Sequence, residues 1–138
     1  MTTEEWRAFV ATGARTGKFA TVGADGTPAI TPVWFVLDGD TLAFTTGGST
    51  AKIKNLRRSP RAALCVTDDE PPFSYAELRG GVTLSDDLDE LLRIATAAGE
   101  KYMGPEQAEE FGRRNGVPGE LVVRLHPTKI HAYGGITD

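Results

Sequence analysis

Two Asp-Gly turns constrain this chain more than any other feature. In "KFATVGADGTPAITPVWFVLDGDTLAFTT" (residues 18–46) they separate three apolar runs: "KFATVG", "PAITPVWFVL" and "TLAFTT". Asp25-Gly26 lies in the first loop and Asp38-Gly39 in the second. Such pairs between strand-like runs are hairpin signals, because glycine accepts the positive φ that a tight turn demands. The stretch therefore predicts an antiparallel meander.

The flanking segments add strands and a few helices. "TTEEWRAFVATGA" reads as a short helix: Thr2 and Glu5 have capping-box spacing, and Trp6, Phe9 and Val10 share a face. "STAKIKNLRR" is a second helix, limited by Pro60. "RAALCVTD" and "FSYAELRGGVTL" follow as strands, the latter with a break at Gly80-Gly81. Ser85, Asp86 and Asp87 open a helix in which Leu88, Leu91, Leu92, Ala95, Ala98 and Tyr102 recur at helical period. "PEQAEEFGRRNGVPG" supplies one more helical segment, and "ELVVRLHP" and "KIHAYG" close the chain as two strands. This order predicts a mainly β protein, an antiparallel barrel with peripheral helices, in one domain spanning residues 1–138.

Charge narrows the function. The net charge of -4 argues against general nucleic-acid binding, and no apolar run approaches the roughly 20 residues of a membrane helix. The acidic start "MTTEEWRAFV" is unlike a signal peptide, so a cytoplasmic location is expected. Yet "TTGGSTAKIKNLRRSPR" (residues 45–61) carries Lys52, Lys54, Arg57, Arg58 and Arg61 and no acid. Cations in a first helical turn oppose the helix dipole unless an anion compensates them. Free N–H groups at a helix start also receive phosphate. Gly47 and Gly48 let a ligand approach the backbone, and Ser49 and Thr50 can cap the helix or donate to phosphate oxygens. On a helical wheel Lys52 lies about 40° from Leu56, beside the buried face, which marks it as the phosphate ligand. Lys54 and Arg58 share the other flank. A solvated basic helix face accounts for the same residues, and the Walker spacing is absent.

The run from "KFATVG" through "STAKIKNLRRSPRAALCV", with "KNLRRSPRAAL" its most specific part, resembles the pyridoxamine 5′-phosphate oxidase-like split β-barrel proteins. Within them it is most similar to the actinobacterial branch that uses the deazaflavin coenzyme F-420. The resemblance implies a six-to-seven-stranded antiparallel split barrel, a homodimer, and two cofactor sites at the interface. It places Thr31, Pro32, Val33 and Trp34 along the cofactor ring and Thr45 and Thr46 at the end of the next strand. Ser49, Thr50, Lys52, Lys54 and Asn55 fall around the phosphate. Tyr75 matches a position that reaches the ring from the partner subunit. Thr50 and Ala51 stand where flavin-binding members carry an arginine, which disfavours tight FMN binding. The implied activity is hydride transfer between reduced F-420 and an electron-poor small molecule of enone, quinone or tetrapyrrole type. An FMN-dependent oxidase or reductase, and a non-catalytic F-420 or flavin storage protein, are the alternatives. A haem-degrading split barrel is a weaker one.

No catalytic group stands out, and no metal motif is present. His126 and His131 are expected on opposite faces of a strand because their spacing is odd. Cys65 reads as an inert thiol in an apolar run. Lys101 and Tyr102 lie on the side where substrate is expected, although Tyr102 also fits a core position.

Overall fold

The computed structural model describes residues 1–137. The elements run α1 (Thr3–Ala11), β1 (Gly17–Val22), β2 (Pro28–Val33), β3 (Val36–Asp38), β4 (Thr41–Gly47), α2 (Ala51–Arg58), β5 (Arg61–Asp68), β6 (Ser74–Ser85), α3 (Leu88–Met103), α4 (Ala108–Asn115) and β7 (Glu120–Tyr133). A 3-10 turn, Pro105–Gln107, precedes α4. The predicted capping box at Thr2 and Glu5 is formed in both directions.

The strands make one antiparallel seven-stranded sheet in the order β2-β1-β5-β6-β7-β4-β3. Both predicted hairpins form, with β1 paired to β2 and β3 to β4. The meander does not. "PAITPVWFVL" is two strands, β2 and β3, and they lie at opposite edges of the sheet. A flat sheet of this width would hold those edges roughly 29 Å apart. Only Trp34 and Phe35 connect them, and a trans chain covers no more than about 11 Å in three Cα steps. The sheet must therefore curl until its edges meet, which makes it a barrel with a seam.

The last two predicted strands are one. β7 runs through Pro127 without a break, opposite β6, and the register shifts between Arg79 and Gly80. Gly80 is required at the shift, since a Cβ there would stand 1.9 Å from the His126 carbonyl oxygen. The bulge also reverses the alternation of side chains along β7. His126 pairs with Gly81 and His131 with Glu77, so both histidines face outward on the same side. The odd spacing alone had put them on opposite sides. They remain roughly 13 Å apart along the strand, and among the described residues no group of His, Cys, Asp and Glu is arranged to hold a metal ion. No helix among the described residues is long and apolar enough to cross a membrane.

Two cores result. The barrel interior holds Phe19, Phe35, Phe44, Leu64, Leu78 and Leu125, with Trp6 and Val10 from α1 and Ile53 and Leu56 from α2. Outside the barrel, α3 lays Leu91, Ile94 and Ala98 on Val36, Ala43 and Val122. Ile94 belongs to this buried face, whereas Leu88 and Leu92, predicted to share it, are exposed at 49% and 44%. An ion-pair cluster clamps the same layers. Asp38 accepts from Arg93 and, at 2.8 Å, from Arg124, which also reaches Glu90 at 2.6 Å. Hydrogen bonds from Arg93, and then Arg124, hold the Asp38 carboxyl below its ordinary range.

Phe35 is fully buried at the seam. Replacing it with alanine removes the packing that joins the two edges and leaves a void. Phe35→Ala is expected to lose about 3–5 kcal/mol of stability, read by urea denaturation. Trp34→Ala, one residue away but facing a cavity, should cost much less.

Candidate functional site

β2, β4, α2, α3, α4 and β7 converge on a cavity of about 300 Å³. Its barrel wall is Pro32, Val33, Trp34, Phe44, Thr45 and Thr46; Lys52 of α2 stands at one end. Ala95, Ala98 and Gly99 of α3, Phe111 and Asn115 of α4, and Glu120 of β7 complete the lining.

The roof depends on small residues. A Cβ on Gly99 would lie 2.7 Å from the Phe111 Cβ, and one on Gly112 would lie 2.0 Å from the Thr96 Oγ1. These glycines let α4 settle directly on α3 and bring Phe111 over the cavity. The Trp34 ring stacks on Tyr102 with centroids 5.0 Å apart and an interplanar angle of 11°, and it meets Phe111 at 5.9 Å.

Of the residues singled out in the sequence, Pro32, Val33, Trp34, Thr45, Thr46 and Lys52 are brought together here. Lys52 is half-buried, while Lys54, Arg57, Arg58 and Arg61 are exposed, in keeping with the wheel. Thr50 is the N-cap of α2, but its hydroxyl donates to the Gly47 carbonyl and no side chain caps the helix. Ser49 and Thr31 are exposed and outside the lining. Asn55 does not face the cavity: it is 7% exposed, and its amide donates to Thr21 Oγ1 at 3.0 Å. Its helical position puts it on the core side with Ile53 and Leu56. Tyr75 lies at the start of β6 against Tyr133, with centroids 5.6 Å apart, and does not line this cavity.

Sequence reasoning missed Phe44, the α3–α4 roof and Glu120. The mid-helix glycines Gly99 and Gly112 are the one local sign that two helices approach closely there. Glu120 carried no sign. It pairs across the sheet with Gly47, and its Oε2 is 3.4 Å from the place a Gly47 Cβ would occupy. A carboxylate from a distant strand thus stands beside the turn that leads into α2.

Lys101 and Tyr102 act beneath the site. Lys101 Nζ donates to the Phe35 carbonyl at 3.0 Å and the Val10 carbonyl at 3.3 Å, and lies 3.7 Å from the Phe35 ring centroid. Tyr102 donates to the Arg15 carbonyl at 2.9 Å and the Phe35 carbonyl at 3.2 Å. Burial pushes the Lys101 ammonium down to about 8 and the Tyr102 phenol up to about 12. Both hold the Trp34-Phe35 link, and neither lines the cavity.

The residues of this chain match a family model described as pyridoxamine 5′-phosphate oxidase over residues 2–134. The chain belongs to that family. A comparison with curated proteins finds no match. Among solved structures, it is similar to the conserved hypothetical protein Rv2991 from Mycobacterium tuberculosis, with 25% identity and a TM-score of 0.87 over 98% of this chain and 86% of that one. It is also similar to an F-420 reductase, at 26% identity and a TM-score of 0.70, covering 90% of this chain and 94% of that one. The haem storage protein HutZ from Vibrio cholerae shares the fold, at 17% identity and a TM-score of 0.73, over 98% of this chain and 97% of that one. The split barrel of this family is therefore the fold of this chain.

The Lys101 environment has a consequence for stability. Its folded pKa of about 8 lies below the ordinary 10.5. Between these values the native state has shed a proton that the unfolded chain keeps, so stability rises with pH. Tyr102 opposes this only above its ordinary value of 10.0, where the unfolded phenol ionises first. Denaturation of wild type and Lys101→Met across pH 7.5–10 (a window set by that linkage, roughly) should show a rising contribution in wild type only.

Proposed function

We propose that this protein is an F-420-dependent oxidoreductase that reduces an electron-poor small molecule. The observation that supports this reading is Lys52, in the first turn of a helix with no side-chain cap, lining a cavity that also holds the flat faces of Trp34 and Phe111. The cavity's volume of about 300 Å³ is at the lower end for small-molecule sites. Its donor set suits a phosphate-bearing planar cofactor. Lys52 and the first N–H groups of α2 offer donors to the phosphate. Thr45, Thr46 and Asn115 offer polar contacts, and Trp34 and Phe111 offer flat apolar surfaces. Gly48 keeps the backbone open near the phosphate end, where a Cβ would stand 3.1 Å from the Gly119 carbonyl.

When bound, reduced F-420 supplies a hydride equivalent to an electron-poor double bond. The protein's part is to bind, orient and exclude water. Val33 and Trp34 present the end of β2 to the ring, and the α3–α4 roof shields the cavity. Lys52 and Glu120 are the titratable groups in the lining, and both lie at the phosphate end. Protonation of the product is accordingly assigned to solvent. The similarity to an F-420 reductase at 26% identity supports the same choice.

A fluorescence titration with F-420 and FMN, followed by turnover of reduced F-420 with enones and quinones, tests this. Tight F-420 binding with turnover is expected. Binding without turnover on any acceptor would favour a carrier, and stoichiometric co-purification of FMN would replace F-420 with a flavin. In the same titration, Lys52→Ala is expected to lose about 1.5–3 kcal/mol of binding. Arg58→Ala should lose far less, since that side chain is exposed and turned to Asn55 Oδ1.

We also propose that the active form is a homodimer. α3 covers the outer face of β3, β4 and β7, but the outer face of β2 and β1 is bare. Val22 is 39% exposed there and Ile30 67%. Ala20, Val22, Pro28, Ala63 and Gly81 line one concavity on this face, rimmed by Arg61, Arg79 and Lys129. A second copy covering it would bring partner residues, Tyr75 among them, toward the first copy's site. Sedimentation at micromolar concentration should give a dimer, and Ile30→Lys should dissociate it. A wild-type monomer that still binds cofactor would defeat the shared site.

A further inference from the structure

The cavity lining contains one cation, Lys52, and one anion, Glu120. Among the described residues, no ion pair joins them and neither makes a side-chain hydrogen bond. Thr45, Thr46, Asn115 and the apolar residues contribute no charge, so the side chains sum to zero. What remains is the partial positive charge at the start of α2, about half an elementary charge. The Glu120 backbone is held near that start by two features. β7 opens opposite the end of β4, with Glu120 paired to Gly47. Gly48 N–H then donates to the Gly119 carbonyl at 2.8 Å. Glu120 Oε2 and the Thr50 methyl flank the same point above Gly47, at 3.4 and 3.6 Å from a Cβ position there.

We infer that Glu120 is a specificity-determining residue that selects a phosphodiester over a phosphate monoester at this site. The inference rests on the reading that the cavity holds a phosphate-bearing cofactor. A monoester carries about −1.5 to −2 charges at neutral pH, with its second pKa near 6. A diester carries a single charge. A site of about half a positive charge matches the diester, and the carboxylate repels the second charge of the monoester. F-420 is a diester at this position and FMN a monoester. The tail of F-420 continues beyond the phosphate, so its carboxylates lie outside this balance. Lys52 supplies affinity for either phosphate; Glu120 sets which one is favoured.

The test is a titration of wild type and Glu120→Gln with FMN, F-420 and riboflavin, at pH 8 and at pH 5.5, values chosen to bracket the monoester pKa of about 6. The substitution is isosteric and removes only charge. At the higher pH the variant is expected to bind FMN about five- to tenfold more tightly, as for a unit charge at moderate distance and screening. F-420 should change by less than about threefold on the same grounds, and riboflavin not at all. At the lower pH, where the monoester has lost most of its second charge, the FMN gain should shrink. Equal gains for FMN and F-420, a gain for riboflavin, or no gain at either pH would overturn charge selection and leave the cofactor reading standing. Failure of wild type to bind either phosphate-bearing cofactor would overturn both.

Discussion

The structure depends on a link too short for the distance it would otherwise cross. β2 and β3 are neighbours in the chain but opposite edges of the sheet, and only Trp34 and Phe35 join them. Barrel closure is the way the covalent chain satisfies both facts. The two side chains then divide by the strand rule that successive residues face opposite ways. Phe35 enters the core and is fully buried, while Trp34 is turned outward and remains 40% exposed. One becomes the seal of the seam and the other the wall of the cavity. Lys101 and Tyr102 fasten the link from outside, both donating to the Phe35 carbonyl. That carbonyl belongs to a residue outside any strand and would otherwise lack a sheet partner, so the cost of burying it is met by α3.

Closure also decides which surfaces are left over. α1 and α2 feed the barrel interior, and α3 with α4 covers the β3-β4-β7 side. Among the described residues nothing covers β2, whose residues are exposed from Pro28 to Pro32. A strand exposed on both faces and carrying Ile30 is poorly suited to solvent, and its proline at position 32 limits further edge pairing. The bare face lies beside the cavity, because Pro32 and Trp34 continue from one to the other.

Local chemistry made much of this legible. The Asp-Gly turns, the Thr2–Glu5 capping box and the stop at Pro60 act within a few residues, and each forms as the sequence implies. The placement of Lys52 in the cavity lining was legible for the same reason, since Lys52 and the start of α2 are neighbours in the chain. Long-range geometry was not. "PAITPVWFVL" has the composition of one strand, and only the sheet order shows that it must break at Trp34-Phe35. "ELVVRLHPTKIHAY" looks interrupted at Pro127, yet Gly80 on the partner strand makes room for the bulge that carries it through. That one extra residue also placed the two histidines on the same face. Asn55 looked polar and available beside a lysine, but its amide meets the hydroxyl of Thr21, thirty-four residues away, and a buried polar pair of this kind leaves no trace in local spacing.

The two halves of the cavity rest on different packing clusters and meet at Trp34, whose ring touches both Tyr102 and Phe111. The barrel wall and Lys52 rest on the interior core, with Phe44 edge-on to Phe19 at 4.8 Å. The roof rests on the outer cluster and on glycine contacts between α3 and α4. Substitutions at Phe111 are therefore expected to couple to substitutions at Trp34, since the two rings meet at 5.9 Å. Glu120 begins β7, so its backbone is held by the barrel register, and its carboxylate stands beside Gly47, in the turn that leads into α2. Sheet pairing fixes the Glu120 backbone, and among the described residues the carboxylate itself makes no hydrogen bond. The register between Gly47 and Glu120 thus decides which part of the cavity that carboxylate can reach, a placement set by long-range strand pairing and not by any neighbour in the sequence.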